Sequence, residues 1–175
     1  MIVAGSRPLV TGLVLLVLAA AASAGDHVAA PSAIAKGPQE VEVVAVALDP
    51  RTQTPAVLLE GKRDKRHLAM VIGPAEATGI AVPLQGLTPP RPLTHDLFLT
   101  LLGRLNVQIT RVVITDLRDD VYYATLQLAA GGTTLTLDAR PSDAIALAIR
   151  AKVPVLVEDR VFDKAGGPGT AGPRI

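Results

Sequence analysis

The spacing of apolar residues changes period at Asp138, and that change constrains the fold more than any other feature of the chain. Thr134, Leu135, Thr136 and Leu137 alternate polar and apolar, as a half-buried strand does. From Ala144 to Ile149 the chain carries strong helix formers with an apolar face. Asp138-Ala139-Arg140-Pro141-Ser142-Asp143 is the polar corner between them. Pro141 suits the first helical position, where a missing N–H costs nothing. Ser142 and Asp143 then fall in the first turn, where free N–H groups and the helix dipole favour an oxygen or an anion. Capping explains each residue singly. Two acids and an arginine within six residues at a strand's carboxyl end exceed it, because functional groups gather on such loops.

The 175 residues suffice for one domain with a real core. The chain is 49% hydrophobic but only 2% aromatic, so Val, Leu, Ile and Ala must build that core. It has no Cys, which excludes disulfides, thiolate metal sites and a cysteine nucleophile. Met1–Ala24 has the features of a cleaved export signal: Arg7, an apolar run from Leu9 to Ala22, and Ala22-Ser23-Ala24 as a small-x-small cleavage pattern. The run is shorter than the ~20 residues of a membrane span. Export to the periplasm or medium is expected, with no stable membrane span after cleavage. Residues 25–39 read as a flexible linker, 40–166 as the domain, and 167–175 as a disordered Gly/Pro-rich tail. Loss of residues 1–24 removes one base and no acid, which leaves 16 Lys+Arg against 16 Asp+Glu. A neutral chain argues against strong nonspecific nucleic-acid binding but not against a locally basic cleft.

Within the domain, Val41 to Leu48 reads as a strand buried on both faces. Residues 55–60 and 67–72 form a hairpin around Lys62, Arg63, Lys65 and Arg66, bases that either meet phosphates or sit in a solvated loop. A helix spans Ala75 to Leu84, with Glu76 in its first turn and Gly79 as a weak point costing on the order of 1 kcal/mol. Thr94 caps the next helix, 95–105, whose core face is set by Leu97, Leu101 and Leu105 with Phe98 and Leu102 beside them. Residues 107–138 make a meander with turns at Asp119-Asp120 and Gly131-Gly132. Val153 to Val157 is a final strand, placed at a sheet edge by Pro154. Residues 159–164 form one helical turn. The fold class expected is α+β: one domain with a mostly antiparallel sheet of six or seven strands and three main helices against it.

Three stretches resemble signatures of the bifunctional nuclease family. Asp138-Ala139-Arg140-Pro141-Ser142-Asp143-Ala144-Ile145-Ala146-Leu147-Ala148 resembles its hallmark. Arg91-Pro92-Leu93-Thr94-His95-Asp96-Leu97 looks like its Arg-Pro-Thr-His-Asp-Leu segment, and Ile72-Gly73-Pro74-Ala75-Glu76-Ala77 its Ile-Gly-x-x-Glu-Ala segment. The resemblance covers roughly Val41 to Gly166; Gly79 departs from the alanine-rich pattern. It implies a nuclease acting on both DNA and RNA.

Phosphodiester cleavage needs charge neutralisation at phosphate and an activated water. Asp138, Asp143 and Asp96 are candidate oxygen ligands for Mg²⁺ or Mn²⁺. His95 is the candidate general base or acid, Arg140 the candidate phosphate clamp, and Arg91 a further one. The rival class is a non-catalytic oligomerising or partner-binding module, in which Arg140 ties Asp138 or Asp96 into a buried network. The neutral charge and scarcity of aromatic stacking residues favour it. A hydrolase built on Ser142 lacks both a base and a Gly-x-Ser-x-Gly elbow. Edge strands and the apolar content point to a homo-oligomer, a dimer being the commonest form.

Overall fold

The computed structural model describes residues 37–166. The expected signal, residues 25–36 of the expected linker and the tail 167–175 lie outside the described residues. Seven strands form one sheet: β1 (Gln39–Leu48), β2 (Pro55–Gly61), β3 (His67–Val71), β4 (Val107–Arg118), β5 (Val121–Ala130), β6 (Thr133–Ala139) and β7 (Val155–Val157). The described helices are α1 (Pro74–Leu84), α2 (Thr94–Arg104), α3 (Pro141–Ala151) and α4 (Asp159–Ala165). The α+β expectation holds, with α4 longer than the single turn foreseen. Among the described residues no helix is long and apolar enough to cross a membrane.

The strand order is β3-β2-β1-β7-β4-β5-β6. Two antiparallel meanders, β1-β2-β3 and β4-β5-β6, are joined through β7. β7 pairs antiparallel with β1 and parallel with β4. It therefore lies at the centre of the sheet, not at its edge. Pro154 stands one residue before the strand, and its carbonyl accepts the Val112 N–H at 3.0 Å. The missing proline N–H thus falls outside the ladder, while Val155 and Val157 are buried.

β1 is buried on one face only. Gln39 and Val41 are buried, whereas Glu40, Glu42 and Val44 are exposed. It starts at Gln39, whose Nε2 donates to both Asp64 carboxylate oxygens at 3.0 Å. The basic turn after β2 is a solvated turn whose bases are each paired with an acid. Lys62 pairs with Glu40, Lys65 with Glu60, Arg63 with Asp159, and Arg66 with Asp64, Asp159 and Asp163. Arg66 also stacks 4.4 Å from the Phe162 ring centre. The turn is thereby bound to α4. Both Asp119 and Asp120 have positive φ, 49° and 61°, the backbone of a two-residue hairpin whose twist matches its strands.

One buried cluster joins the sheet to all four helices through Ile80, Leu102, Ile145 and Val161, with Val57, Leu59, Val112 and Ile114 from the strands. Met70 and Phe162 are its members outside Val, Leu, Ile and Ala. α2 turns Phe98 and Leu102 to this core, as expected, but not Leu97, Leu101 and Leu105. Leu97, Leu101 and Leu105 are 59%, 54% and 62% exposed, while Leu102 is buried and Phe98 and Leu99 pack against the cluster. The inward series is His95, Phe98, Leu99 and Leu102, at i, i+3, i+4 and i+7. A histidine heads it, so apolar spacing alone selects the wrong stripe. Leu135 and Leu137 on the edge strand β6 are also 45% and 42% exposed. Leu102→Ala should therefore cost about 2–4 kcal/mol, and Leu101→Ala no more than about 0.5 kcal/mol; urea unfolding of the two variants orders them.

Candidate functional site

The N-termini of α1, α2 and α3 meet at an open pocket of about 430 Å³, lined by Glu76, Thr78, Gly79, His95, Arg140 and Asp143 among others. Each helix starts there because its sequence stops the preceding segment. Gly73-Pro74 opens α1, and Arg140-Pro141 opens α3, with proline in the first turn of each. Neither helix has a side-chain cap. Their first N–H groups and dipoles favour negative charge at this end.

Arg140 joins two of these helices. Its Nε donates to Asp143 Oδ2 at 2.7 Å, its Nη2 to Asp143 Oδ1 at 3.1 Å, and its Nη1 to Glu76 Oε1 at 2.8 Å. His95 Nε2 lies 3.3 Å from Asp143 Oδ1. Burial pushes the Asp143 carboxyl up, but hydrogen bonds from Arg140 and His95 and the Arg140 charge outweigh it and hold the group below the ordinary aspartate value. The Arg140 guanidinium is correspondingly held protonated by its bonds to Asp143 and Glu76.

A donating Nε2–H toward Asp143 leaves His95 Nδ1 unprotonated, able to take a proton. Gly79 keeps room beside this ring edge. A Cβ at residue 79 would stand 2.9 Å from His95 Cε1 and 3.4 Å from Nδ1. The glycine that weakens α1 thus accommodates the imidazole. Gly73 does the same for Glu76, since a Cβ there would collide with Glu76 Oε2.

Asp96 plays a different part from the one expected. Its Oδ2 accepts the Leu93 N–H at 2.8 Å, so Leu93 is the N-cap of α2 and Thr94 its first helical residue. Its Oδ1 accepts from Arg150 Nε at 2.7 Å. Burial raises the Asp96 carboxyl, while the Leu93 N–H and Arg150 lower it further, for a net depression. Arg150, with 7% side-chain exposure, also donates to the Gly79 carbonyl at 2.7 Å and the Ala146 carbonyl at 2.9 Å. The buried network foreseen for Arg140 is made by Arg150 instead; Arg140 is 65% exposed.

Asp138 is exposed and pairs in register with Thr125. Its neighbour Leu137 pairs with buried Leu126, so alternation turns Asp138 to the sheet face away from the helices. Arg91 is exposed two residues before Leu93 at the pocket wall.

The structure thus brings His95, Arg140 and Asp143 together and leaves Asp138 and Asp96 apart from them. The three candidate carboxylates do not fit a divalent cation: Asp96 has both oxygens engaged, Asp143 has both engaged, and Asp138 faces elsewhere. Among the described residues no group of three or more His, Asp or Glu is placed to hold a metal. The sequence reading missed Glu76 as a site residue. It stands in the Ile72–Ala77 signature, but a first-turn Glu is explained equally well by the helix dipole.

Asp96→Ala leaves the Arg150 charge buried with only carbonyl partners, and a loss of about 2–3 kcal/mol at pH 7 is expected. The folded Asp96 pKa is depressed, so its contribution is present above the unfolded value of about 4 and lost as pH falls through the folded one. The gap between wild type and variant in urea unfolding should close in acid.

The family model described as bifunctional nuclease domain matches residues 57–169. An uncharacterized protein of Mycobacterium tuberculosis is 39% identical over 127 residues, 73% of this chain and 76% of its own. Bifunctional nuclease 1 of Oryza sativa subsp. japonica is 37% identical over 81 residues, 45% of this chain and 24% of its own. Bifunctional nuclease 2 of Arabidopsis thaliana is 28% identical over 108 residues, 52% of this chain and 33% of its own. A family model that matches more than half of this chain, and a bacterial relative 39% identical over 73% of this chain and 76% of its own, make this chain a member of the bifunctional nuclease domain family.

Proposed function

We propose that the chain hydrolyses phosphodiester bonds of DNA and RNA at the pocket between α1, α2 and α3. One observation carries this reading: Glu76, His95, Arg140 and Asp143, drawn from all three signature stretches, lie in one open pocket. The plant relatives named as nucleases support it. An open pocket admits one phosphate of a long chain. Arg140 spends three of its five N–H donors on Glu76 and Asp143 and keeps one on each Nη for phosphate oxygens. Arg91 supplies a further positive charge nearby. Water attacks phosphorus and gives its proton to His95 Nδ1. The bond to the leaving sugar oxygen breaks, and that oxygen takes a proton from the imidazolium. Asp143 orients the ring and stabilises its charged form. An exported protein of this kind works on nucleic acid outside the cytoplasm, in the periplasm or medium.

The test uses the purified chain, with single- and double-stranded DNA and RNA, beside His95→Ala and Asp143→Asn. Removing the proton-transfer group should lower cleavage 10²–10⁴-fold. Equal cleavage by wild type and both variants would sink the assignment.

The exposed Leu97, Leu101 and Leu105 stripe favours a second reading, a homodimer of the same fold packed on α2. Light scattering of wild type and Leu101→Glu decides it: a dimer that the substitution converts to monomer supports the reading, and a wild-type monomer ends it.

A further inference from the structure

We propose that the Arg140 guanidinium takes the place of a divalent cation in this site, so that the chain cleaves phosphodiesters without bound metal. This rests on the nuclease reading above and concerns how the same pocket neutralises phosphate. Glu76 and Asp143 come from the first turns of two different helices. Paired carboxylates at a phosphate-handling pocket are the usual means of holding a cation. Here one guanidinium lies between them, with contacts of 2.8, 2.7 and 3.1 Å. Both Asp143 oxygens are engaged by it, and His95 approaches Oδ1 as well.

A cation of the Mg²⁺ type needs about six oxygen ligands in near-octahedral geometry. Admitting one between them would require Arg140 to give up Asp143, both of whose oxygens it holds, and to share Glu76, of which it holds Oε1. Among the described residues no third candidate acid is at hand, because Asp96 is committed to Leu93 and Arg150 and Asp138 is on the opposite sheet face. The guanidinium, by contrast, is permanently charged and planar, and its two remaining N–H groups match two phosphate oxygens. Glu76 and Asp143 fix the plane in which that fork is presented. They act as positioning residues, and Arg140 acts as the electrophile that a metal would otherwise be.

Two measurements test this. Mn²⁺ binding, followed by the electron paramagnetic resonance of free Mn²⁺, is compared between the wild-type chain and a Glu76→Gln, Asp143→Asn double variant shown to be folded by circular dichroism. Equal binding by the two is expected; more Mn²⁺ bound by wild type overturns the proposal. In the second, wild-type cleavage of RNA and DNA is measured in EDTA and with added Mn²⁺. Rates within about twofold of each other are expected. Cleavage abolished by EDTA and restored by Mn²⁺ overturns the proposal while leaving the nuclease assignment intact. Absence of cleavage under every condition strikes the nuclease assignment itself, and the Mn²⁺ comparison still decides whether the carboxylates hold a cation.

Discussion

The buried guanidinium of Arg150 is the point on which the rest of the site depends. It rises from α3, takes the Asp96 carboxylate of α2 and accepts the company of the Gly79 carbonyl of α1. Three helices are thereby fixed to one planar, permanently charged group. Asp96 transmits the constraint, because its other oxygen holds the Leu93 N–H and so sets where α2 begins. His95 is one residue from that point. A charge this deeply placed is tolerated only with good geometry on every side, and removal of one partner leaves the other uncompensated.

From that joint the pocket follows. The three helix starts bring partial positive charge to one end, and Arg140 adds a whole one. Glu76 and Asp143 return two negative charges, which hold the guanidinium in plane. Formally the Glu76, Asp143 and Arg140 group carries one negative charge, and the helix dipoles offset part of it. A site so balanced gives a polyanion little long-range attraction, in keeping with the neutral composition of residues 25–175.

Much of the fold was legible because its signals are local. The period change at Asp138, the proline-opened helices and the two tight turns each state themselves within a few residues. What failed was long-range. β7 is three residues long, too short for periodicity to speak, and its central place comes from pairing with strands far away in sequence. α2 offered two apolar series, and the one that packs inward is headed by a polar residue with a role in the site. The site was legible to the same extent. His95, Arg140 and Asp143 were found because acids, bases and a histidine cluster on helix starts. Asp138 and Asp96 were grouped with them by closeness in sequence, whereas strand alternation and helix capping send each elsewhere. Glu76 required tertiary structure, since nothing local separates it from an ordinary first-turn acid.

The basic turn at residues 62–66 shows why charge must be followed to its partners before it is assigned to a substrate. All four bases are neutralised by acids of the same chain, three of them on other elements than the β2–β3 hairpin for at least one contact. Arg63 and Arg66 clamp α4 against the hairpin, and Gln39 with Asp64 extends the clamp to the start of β1. The charge of that turn is thus largely balanced within the chain. Near the pocket, by contrast, Arg140 keeps two donors outward and Arg91 stands exposed. On the nuclease reading, few phosphates of the polymer are then neutralised at once, and the salt dependence of binding, which scales with that number, is shallow. On the same reading a substrate held by few charges is positioned by the local fit of one phosphate, the task proposed for the Arg140 fork.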